Sequence, residues 1–343
     1  MSTVFSVILA SLVAVLVALN GCGGSGGGGE SLAGIGGTGK IASGTITGFG
    51  SIFVNGFEYD IDSASLEVND DDSAGLSQDD LRIGMVVTVT AEVFDTDGDG
   101  EDDKGAASLV VYDNDVEGPV NSLSDPGNGL TKSFSVLGID VIVNSAGTEF
   151  DDSDEAGFSF ATIADNDVVE LSGFFDGSNV LNATYIKKTD DFDLGSSEVE
   201  FKGTADAGTD AGAGDSFTLD GFITVNIRDD ADLSEVPGER VTDSVFVEVD
   251  GRLTKLNPLT IEALRIQQED QDLDDDAGEA ELEGFVSDFV DNSNFRVDGQ
   301  PADATDAEFE PDGLVLNDGL KVEVEGTIEA GILNADKVKR EDD

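Results

Sequence analysis

Several residue types that carry common enzyme chemistry are scarce or absent in this chain. Among its 343 residues there is no histidine, no tryptophan and a single cysteine. Without histidine, the Ser-His-Asp and Cys-His nucleophile systems and every imidazole metal site are excluded. A lone cysteine also excludes an internal disulfide, so we expect packing or bound ions to supply the stability of the fold.

Basic side chains are also scarce. The sequence has 17 basic and 74 acidic side chains, which gives a formal net charge of -57 at neutral pH. Nucleic acid and bare anionic lipid are therefore unfavourable partners, because binding would bring like charges together. Divalent cations are favourable partners. The excess of acidic residues is equally consistent with adaptation to salty surroundings or with solubility alone.

The N-terminus carries a long apolar run. Residues 4–19 read VFSVILASLVAVLVAL, which is short for a spanning helix and typical of a signal-peptide core. The following Leu19-Asn20-Gly21-Cys22 resembles the lipobox of bacterial lipoproteins, and this resemblance implies removal of residues 1–21 and acylation of Cys22. Similarity to Gram-negative sorting preferences, with Gly23 after the cysteine, implies the outer membrane. An uncleaved membrane anchor is the alternative.

A glycine-rich stretch, residues 22–40, follows the apolar run. We predict a flexible tether with an end-to-end distance of about 20 to 25 Å. Gly34, Gly36 and Gly39 match the GxGxxG outline of dinucleotide loops, and residues 34–40 match the GxxxxGK outline of phosphate loops. Both motifs need a strand before them, which a glycine run does not supply, and Ile41 replaces the required Ser or Thr. We therefore predict no nucleotide partner.

Four related hairpins organise the rest of the chain. Each has two alternating runs with one apolar face, the pattern of β-strands. The hairpins span Met85–Tyr112, Asp167–Lys188, Ser244–Gln268 and Gly319–Arg340. In the second run of each, an alanine precedes a branched residue by three positions: Ala107 and Val110, Ala183 and Ile186, Ala263 and Ile266, Ala335 and Val338. This odd spacing predicts either a β-bulge or a strand buried on both faces.

A second shared hairpin opens each unit, shortly after a glycine at position 44, 118, 203 or 284. Its turns contain Asn55-Gly56, Leu137-Gly138, Asp220-Gly221 and Asp298-Gly299. Asn-Gly and Asp-Gly tolerate positive φ at both central positions and favour tight hairpins. A short helical piece is expected only in places such as Ser77–Leu81.

The spacing of these units, about 80 residues, is typical of tandem small domains. The predicted fold class is all-β: about four tandem small OB-like β-barrel domains in a row, behind an N-terminal signal helix and the glycine-rich tether. Closed barrels of this kind leave few exposed strand edges. The predicted domains span residues 41–120, 121–200, 201–279 and 280–343.

Part of the repeat resembles a known family. Residues 44–62, GTITGFGSIFVNGFEYDID, and 81–89, LRIGMVVTV, resemble the bacterial domain-of-unknown-function family 5666. Residues 294–309 fit the same pattern, whereas the middle two units depart from it. The resemblance covers nearly all of residues 41–340, implies a secreted or lipid-anchored β-repeat protein, and supplies no activity.

The first unit carries an acidic insertion at its hairpin tip, DTDGDGEDD at residues 95–103. This string matches the start of a calcium loop, with carboxylates at positions 1, 3, 5 and 9, glycine at 6 and a backbone carbonyl at 7. The predicted ligands are Asp95, Asp97, Asp99, Glu101 and Asp103. Ala106 replaces the bidentate glutamate of position 12. We predict a Ca²⁺ site here, and a solvated hairpin tip is the alternative.

These observations predict a non-enzymatic binding or structural module of the bacterial cell envelope, attached to the membrane by its lipid. The expected partner is an envelope protein or polymer, and no catalytic residue and no cofactor other than Ca²⁺ are predicted. Other acidic runs, at residues 70–72, 151–155 and 274–276, lack the calcium-loop spacing and are predicted to be surface loops. The alternative function is a hydrolase that uses paired carboxylates on an envelope polymer, although no spacing selects a pair.

Overall fold

The computed structural model describes residues 38–69, 76–96, 104–206, 208–269 and 278–341. From Gly37 to Asp343 the chain forms one compact unit. The predicted signal peptide and Cys22 lie outside the described residues. Within the described ranges, no helix has the length and apolar character needed to cross a membrane.

The described chain is built of β-strands, with two short 3₁₀ turns at Gln78–Asp80 and Pro237–Glu239. The first six strands are β1 Thr38–Gly48, β2 Ile52–Val54, β3 Phe57–Asp60, β4 Ser65–Val68, β5 Val86–Phe94 and β6 Lys104–Tyr112. The next six are β7 Val116–Ser124, β8 Thr131–Val136, β9 Ile139–Asn144, β10 Glu149–Asp151, β11 Asp167–Phe175 and β12 Val180–Asp191. The all-β fold class predicted from the sequence is confirmed.

The second half of the chain repeats this pattern twice. It begins with β13 Glu198–Thr204, β14 Asp210–Ala211, β15 Ser216–Leu219, β16 Ile223–Asp232, β17 Val241–Thr242, β18 Phe246–Leu256 and β19 Leu259–Gln268. It ends with β20 Glu279–Asp291, β21 Asn294–Val297, β22 Gln300–Asp303, β23 Glu308–Glu310, β24 Lys321–Glu329 and β25 Ile332–Arg340.

Each repeat closes into a small barrel of five main strands. In the first barrel the hydrogen-bonded order is β1, β2, β3, β6, β5 and back to β1. The second and fourth barrels close in the same order. In the third, a bridge between Ala205 and Leu219 completes the circle. In each barrel the third and fifth of the main strands pair in parallel, and all other neighbouring strands pair antiparallel. This is the five-stranded Greek-key arrangement of the OB fold.

The long hairpins predicted from the alternating runs are present in all four barrels, and each contains a bulge. Ala91 lies opposite Ala107 while the adjacent Thr90 lies opposite Leu109, which leaves Ser108 as the extra residue. The same shift leaves an extra Thr184, Leu264 and Asp336 in the other three barrels. The predicted bulge between the alanine and the branched residue is therefore confirmed, and it turns both side chains towards the core.

The short hairpins explain the glycines that mark each repeat. Asn55 and Gly56 both have positive φ, at 53° and 80°, as do Asp298 and Gly299. These tight turns fold back over the first strand of their barrel. A β-carbon on Gly284 would lie only 2.7 Å from that of Asp298, so the marker glycine leaves the room that the turn needs.

Strand pairing joins the barrels in two pairs. Residues Lys40–Ser43 of β1 pair in parallel with Glu279–Leu282 of β20, which makes one 12-stranded sheet from the first and fourth barrels. Strand β7 pairs with β13, which makes an 11-stranded sheet from the second and third. The predicted tandem small barrels are thus present, and the pairing of the first barrel with the fourth is a contact that the sequence interpretation did not predict. Whether each barrel is an independent domain with the predicted boundaries stays a prediction.

The apolar cores follow this pairing only for the second and third barrels. The second and third barrels share one continuous cluster that includes Leu171, Phe201 and Ile261. The first barrel has its own core around Tyr59 and Tyr112, and the fourth has a separate core. Apolar packing as well as strand pairing therefore joins the second barrel to the third.

Candidate functional site

The predicted calcium ligands belong to the stretch of chain between β5 and β6. Phe94 pairs with Lys104, so residues 95–103 are confirmed as the connection between two paired strands. Asp95 is half-buried directly after β5. Asp97, Asp99, Glu101 and Asp103 lie outside the described residues, so the calcium site stays a prediction.

A different set of carboxylates converges where three barrels meet. Asp113 lies in the link between β6 and β7, whereas Glu200 is on β13 and Glu248 on β18. One carboxylate oxygen from each lies within 4.8 Å of the other two, and both glutamates are buried. The pairing of β13 with β18 and the short link after β6 bring the three residues together. We call this group the carboxylate cluster.

The ammonium group of Lys202 already fills the carboxylate cluster. Its Nζ donates to the Asp113 carboxylate and to the Asn114 carbonyl oxygen at 2.7 Å, and it lies 3.3 Å from Glu248 Oε2. Burial lowers the pKa of Lys202, but the charges of Asp113, Glu248 and Glu200 outweigh this effect, so the pKa is raised. A lysine held this way takes the place that a divalent ion would need, so the cluster joins the barrels and does not fit a metal ion.

Asn114 completes the surroundings of Glu200. This residue is 1% exposed, and its side-chain Nδ2 donates to Glu200 Oε2 at 2.9 Å. Burial raises the pKa of Glu200 to about 9, even though Lys202 favours the charged form. Burial therefore favours the protonated form of Glu200.

Two further acids face each other across the barrels. Burial raises the pKa of Asp115, just before β7, to about 7, against the opposing effects of Lys202 and the Gly173 N–H. Burial also raises the pKa of Asp298, in the β21–β22 turn of the fourth barrel, to about 8, and the charges of Asp115 and Glu283 add to this. The centre of the molecule is thus rich in carboxyl groups that hold protons near neutral pH.

Tyrosines connect the first barrel to the second beside the carboxylate cluster. The Tyr112 hydroxyl donates to Glu170 Oε1 at 2.8 Å, and its ring meets that of Tyr185 edge-on at 6.2 Å. The Tyr185 hydroxyl donates to Asp151 Oδ2 at 2.9 Å, and Arg82 Nε lies 3.2 Å from the same oxygen. Burial raises the pKa of Asp151, but this effect is outweighed by hydrogen bonds from Ser153 and Tyr185 and by the charge of Arg82. The pKa of Asp151 is therefore lowered.

The joint between the first and fourth barrels contains an ion pair. Lys40 pairs with Glu281, and its Nζ lies 4.6 Å from the centre of the Phe57 ring. Glu283 of the fourth barrel also accepts a hydrogen bond from the Thr45 N–H of β1 at 2.9 Å, and Lys321 of its own barrel lies 2.7 Å from it. Lys40, which ended the GxxxxGK string, therefore lies in a strand and holds two barrels together.

Two surface grooves contain few groups suited to acid-base catalysis. A groove of about 450 Å³ between the second and third barrels is lined mainly by apolar side chains, and Asp165 is the carboxylate among its lining residues. A second groove, at the β20–β21 turn, includes Asp291. Neither of these two grooves brings together the pair of carboxylates that the hydrolase alternative requires.

The sequence interpretation missed the carboxylate cluster. In the sequence, Asp113 and Asn114 have the character of an ordinary polar link between strands. Glu200 and Glu248 occupy the polar positions of alternating strands, which predicts exposure to solvent. One signal was present: lysine is scarce, so a lysine inside a strand, such as Lys202, marks a place where acidic side chains gather.

Comparison with known proteins supports the repeat interpretation. No curated protein matches the chain. The family model described as Domain of unknown function (DUF5666) matches residues 117–187 and 283–339. These regions coincide with the second and fourth barrels, so the view that the second repeat departs from the family was wrong, and the first barrel is not among the matched residues. Two regions of the chain therefore match the DUF5666 family model, which is consistent with repeats of that domain.

Proposed function

We propose that the chain is a lipid-anchored protein of the bacterial cell envelope that acts as a non-enzymatic binding or structural module. The observation that carries this proposal is the use of the converging charged groups. Lys202 of the third barrel pairs with Asp113 of the β6–β7 link, and Lys40 of the first barrel pairs with Glu281 of the fourth. Charged groups used in this way stiffen a scaffold, whereas a hydrolase needs them at the surface of a cleft.

The membrane attachment rests on Cys22 and the apolar run before it. The direct test is to express the full chain in a Gram-negative host, to label lipids with radioactive palmitate and to separate inner from outer membranes. We expect label on the wild-type protein and recovery in the outer membrane. The Cys22→Ala variant should carry no label. Equal distribution of both proteins in a soluble fraction would overturn the lipid anchor.

The partner is proposed to be an acidic or neutral envelope protein or polymer, with Ca²⁺ bridging acidic groups on the two surfaces. Crosslinking in native envelopes, followed by purification through a C-terminal tag, identifies it. The experiment is done with millimolar Ca²⁺ and with a chelator. A partner captured only with Ca²⁺ supports the bridging role, and capture that is equal in both conditions contradicts it.

The hydrolase alternative is tested with the same purified protein. A panel of polysaccharides and esters is incubated with the wild type and with a Glu200→Gln, Glu248→Gln double variant, which removes two of the converging carboxylates. Turnover by the wild type that the double variant lacks would favour the hydrolase. We expect no turnover by either.

A further inference from the structure

The connection between the second and third barrels is short and contains a pair of like charges. Strands β7 and β13 pair through two positions, Val116 with Phe201 and Glu117 with Glu200. On the other side of β7, Glu117 lies opposite Glu170 of β11. Three glutamates therefore lie side by side on β11, β7 and β13. Like charges directly opposite each other destabilise strand pairing.

Each of these three glutamates receives a hydrogen bond from a neutral group. The Thr189 hydroxyl donates to Glu117 Oε1 at 2.6 Å. Tyr112 donates to Glu170 and Asn114 donates to Glu200. Glu170 and Glu200 are buried, and Glu117 is half-buried. A row of three ionised carboxylates in this setting would be strongly repulsive, because neutral donors offset little of the charge.

The cations near the row have closer partners outside it. Lys187, opposite Glu170 on β12, lies 2.9 Å from Asp154. Lys202 binds Asp113 and lies farther, at 4.0 Å, from Glu200 Oε1, and Arg265 Nε lies 3.6 Å from Asp250. The groups that face Glu117 are therefore Glu170, Glu200, Glu198, Thr189 and Lys187, and those that face Glu200 are Glu117, Asp113, Asn114, Lys202, Glu248 and Asp250. Acidic groups outnumber basic ones on every side.

We propose that Glu117 and Glu200 form a proton-dependent lock between the second and third barrels. While the pair holds a proton, the two carboxyl groups lie side by side without repulsion, and β7 stays paired with β13. When the proton is lost, two negative charges face each other in a pairing only two residues long, and the strands separate locally.

The electrostatics place this transition near neutral to mildly basic pH. Burial raises the pKa of Glu117 to about 7, while the Thr189 hydroxyl opposes the shift. Burial raises the pKa of Glu200 to about 9. Since both values lie above the ordinary range of a glutamate, the folded state binds more protons than the unfolded state. The stabilisation is therefore complete below the ordinary glutamate pKa of 4.5, and it is lost progressively as the pH rises to about 7 for Glu117 and to about 9 for Glu200.

The other joint between barrels provides an internal comparison. Strands β1 and β20 pair through four positions, and Lys40 neutralises Glu281 there. Because the β1–β20 pairing is longer and contains an ion pair, its stability depends less on a shared proton than that of the β7–β13 pairing. The lock also lies beside the groove between the second and third barrels, because β7 supplies Pro119 and Val120 to its lining. Loss of the proton would widen this groove.

Hydrogen exchange of the full chain, followed by mass spectrometry at pH 6 and pH 9, tests the lock. Rates are corrected for the intrinsic pH dependence of amide exchange. We expect the protection of peptides that cover residues 116–117 and 200–201 to fall on the order of tenfold at pH 9. Peptides from β1 and β20 should change much less.

In the Glu117→Gln, Glu200→Gln double variant, both replaced side chains are uncharged at pH 6 and at pH 9. The peptides that cover residues 116–117 and 200–201 should therefore keep their protection from hydrogen exchange at pH 9. The matched control, Glu235→Gln, changes an exposed glutamate of the third barrel and should behave like the wild type. If the double variant does not fold, the single variant Glu117→Gln is used in its place. Its loss of protection between pH 6 and pH 9 should be smaller than that of the wild type. Equal protection of the wild type at both pH values, or a loss in the Gln variants as large as in the wild type, would overturn the proposal.

Discussion

Glu283 of β20 lies directly opposite Glu323 of β24, and each of these glutamates has a lysine beside it. Lys321 Nζ lies 2.7 Å from Glu283, and Lys339 Nζ lies 3.4 Å from Glu323. Burial and the charge of Glu281 raise the pKa of Glu323 to about 7, and Lys339 opposes this. These two lysines are thus placed where acidic residues face each other across strands.

The first prediction concerns Lys202. Replacing it in a Lys202→Met variant leaves the carboxylate cluster without its ammonium group, and removal of one partner from a buried charged group is strongly destabilising. We expect the free energy of unfolding to fall by about 3 kcal/mol at pH 8. The loss should be smaller at pH 5, because Asp115, which has a pKa of about 7 and whose charge Lys202 offsets, is then protonated. Urea denaturation at both pH values measures it.

A matched control for this variant is Arg228→Met. Arg228 Nε lies 2.8 Å from Asp230, but the Asp230 side chain is largely exposed to water and that of Arg228 is partly exposed. Exposed pairs contribute little, so the control should unfold almost as the wild type does. Equal losses in the two variants, or a loss in Lys202→Met that does not depend on pH, would show that the lysine does not neutralise the cluster.

The second prediction tests the pairing of the first barrel with the fourth. Lys40 and Glu279 are neighbours on the parallel strands β1 and β20. In a Cys22→Ala background the protein has no other cysteine, so Lys40→Cys with Glu279→Cys should form a disulfide on mild oxidation. The product is detected by its mobility on a non-reducing gel and by mass spectrometry.

The control for this crosslink is Lys40→Cys with Glu308→Cys. Glu308 belongs to the same fourth barrel but pairs with β25, away from β1. This second pair should stay reduced under the same oxidation. Barrels arranged in a row would leave both cysteine pairs reduced.

Local features of the fold could be predicted from the sequence, whereas the contacts between barrels could not. The spacing of Ala335 and Val338 predicted a bulge because the side-chain period of a strand is fixed by backbone geometry. Asn55-Gly56 predicted its turn because few residues accept positive φ. Each of these signals lies within a few neighbouring residues.

The pairing of Lys40 with Glu279 joins residues far apart in the sequence, and no local pattern identifies the partner strand. Glu323 and Glu200 alternate with apolar residues and therefore read as solvent-exposed, yet both are buried where barrels meet. A single sequence does not distinguish a polar face in water from a polar face that another barrel covers. This is why the carboxylate cluster was missed while the hairpins were predicted.

The third prediction concerns the glycine opposite the bulge. A β-carbon on Gly251 would lie 2.5 Å from the Glu262 carbonyl oxygen and 2.7 Å from Ile261 Cγ2. Because a backbone atom cannot move aside cheaply, Gly251→Ala should destabilise the protein by about 1 to 3 kcal/mol. Gly39→Ala is the control, since no atom lies within 4 Å of its β-carbon position. Thermal unfolding of the two variants at equal concentration should separate them, and similar melting temperatures would contradict the close approach.

The fourth prediction concerns calcium at the β5–β6 hairpin. If residues 95–103 bind Ca²⁺ in the folded protein, millimolar Ca²⁺ should stabilise the wild type relative to a chelator, by about 2.7 kcal/mol at a hundredfold excess over Kd. Asp97→Asn with Asp99→Asn removes two charged ligands and should abolish this gain. Differential scanning calorimetry at constant ionic strength measures the shift.

The control variant, Asp274→Asn with Asp276→Asn, removes the same charge from an acidic run that lacks the glycine and the alternating spacing. Because it lowers the net negative charge equally, it separates ligation from general screening of a highly acidic chain. The control should keep the full response to Ca²⁺. If both double variants respond equally, Ca²⁺ acts through the overall charge, and if the wild type does not respond at all, the hairpin is a solvated acidic tip.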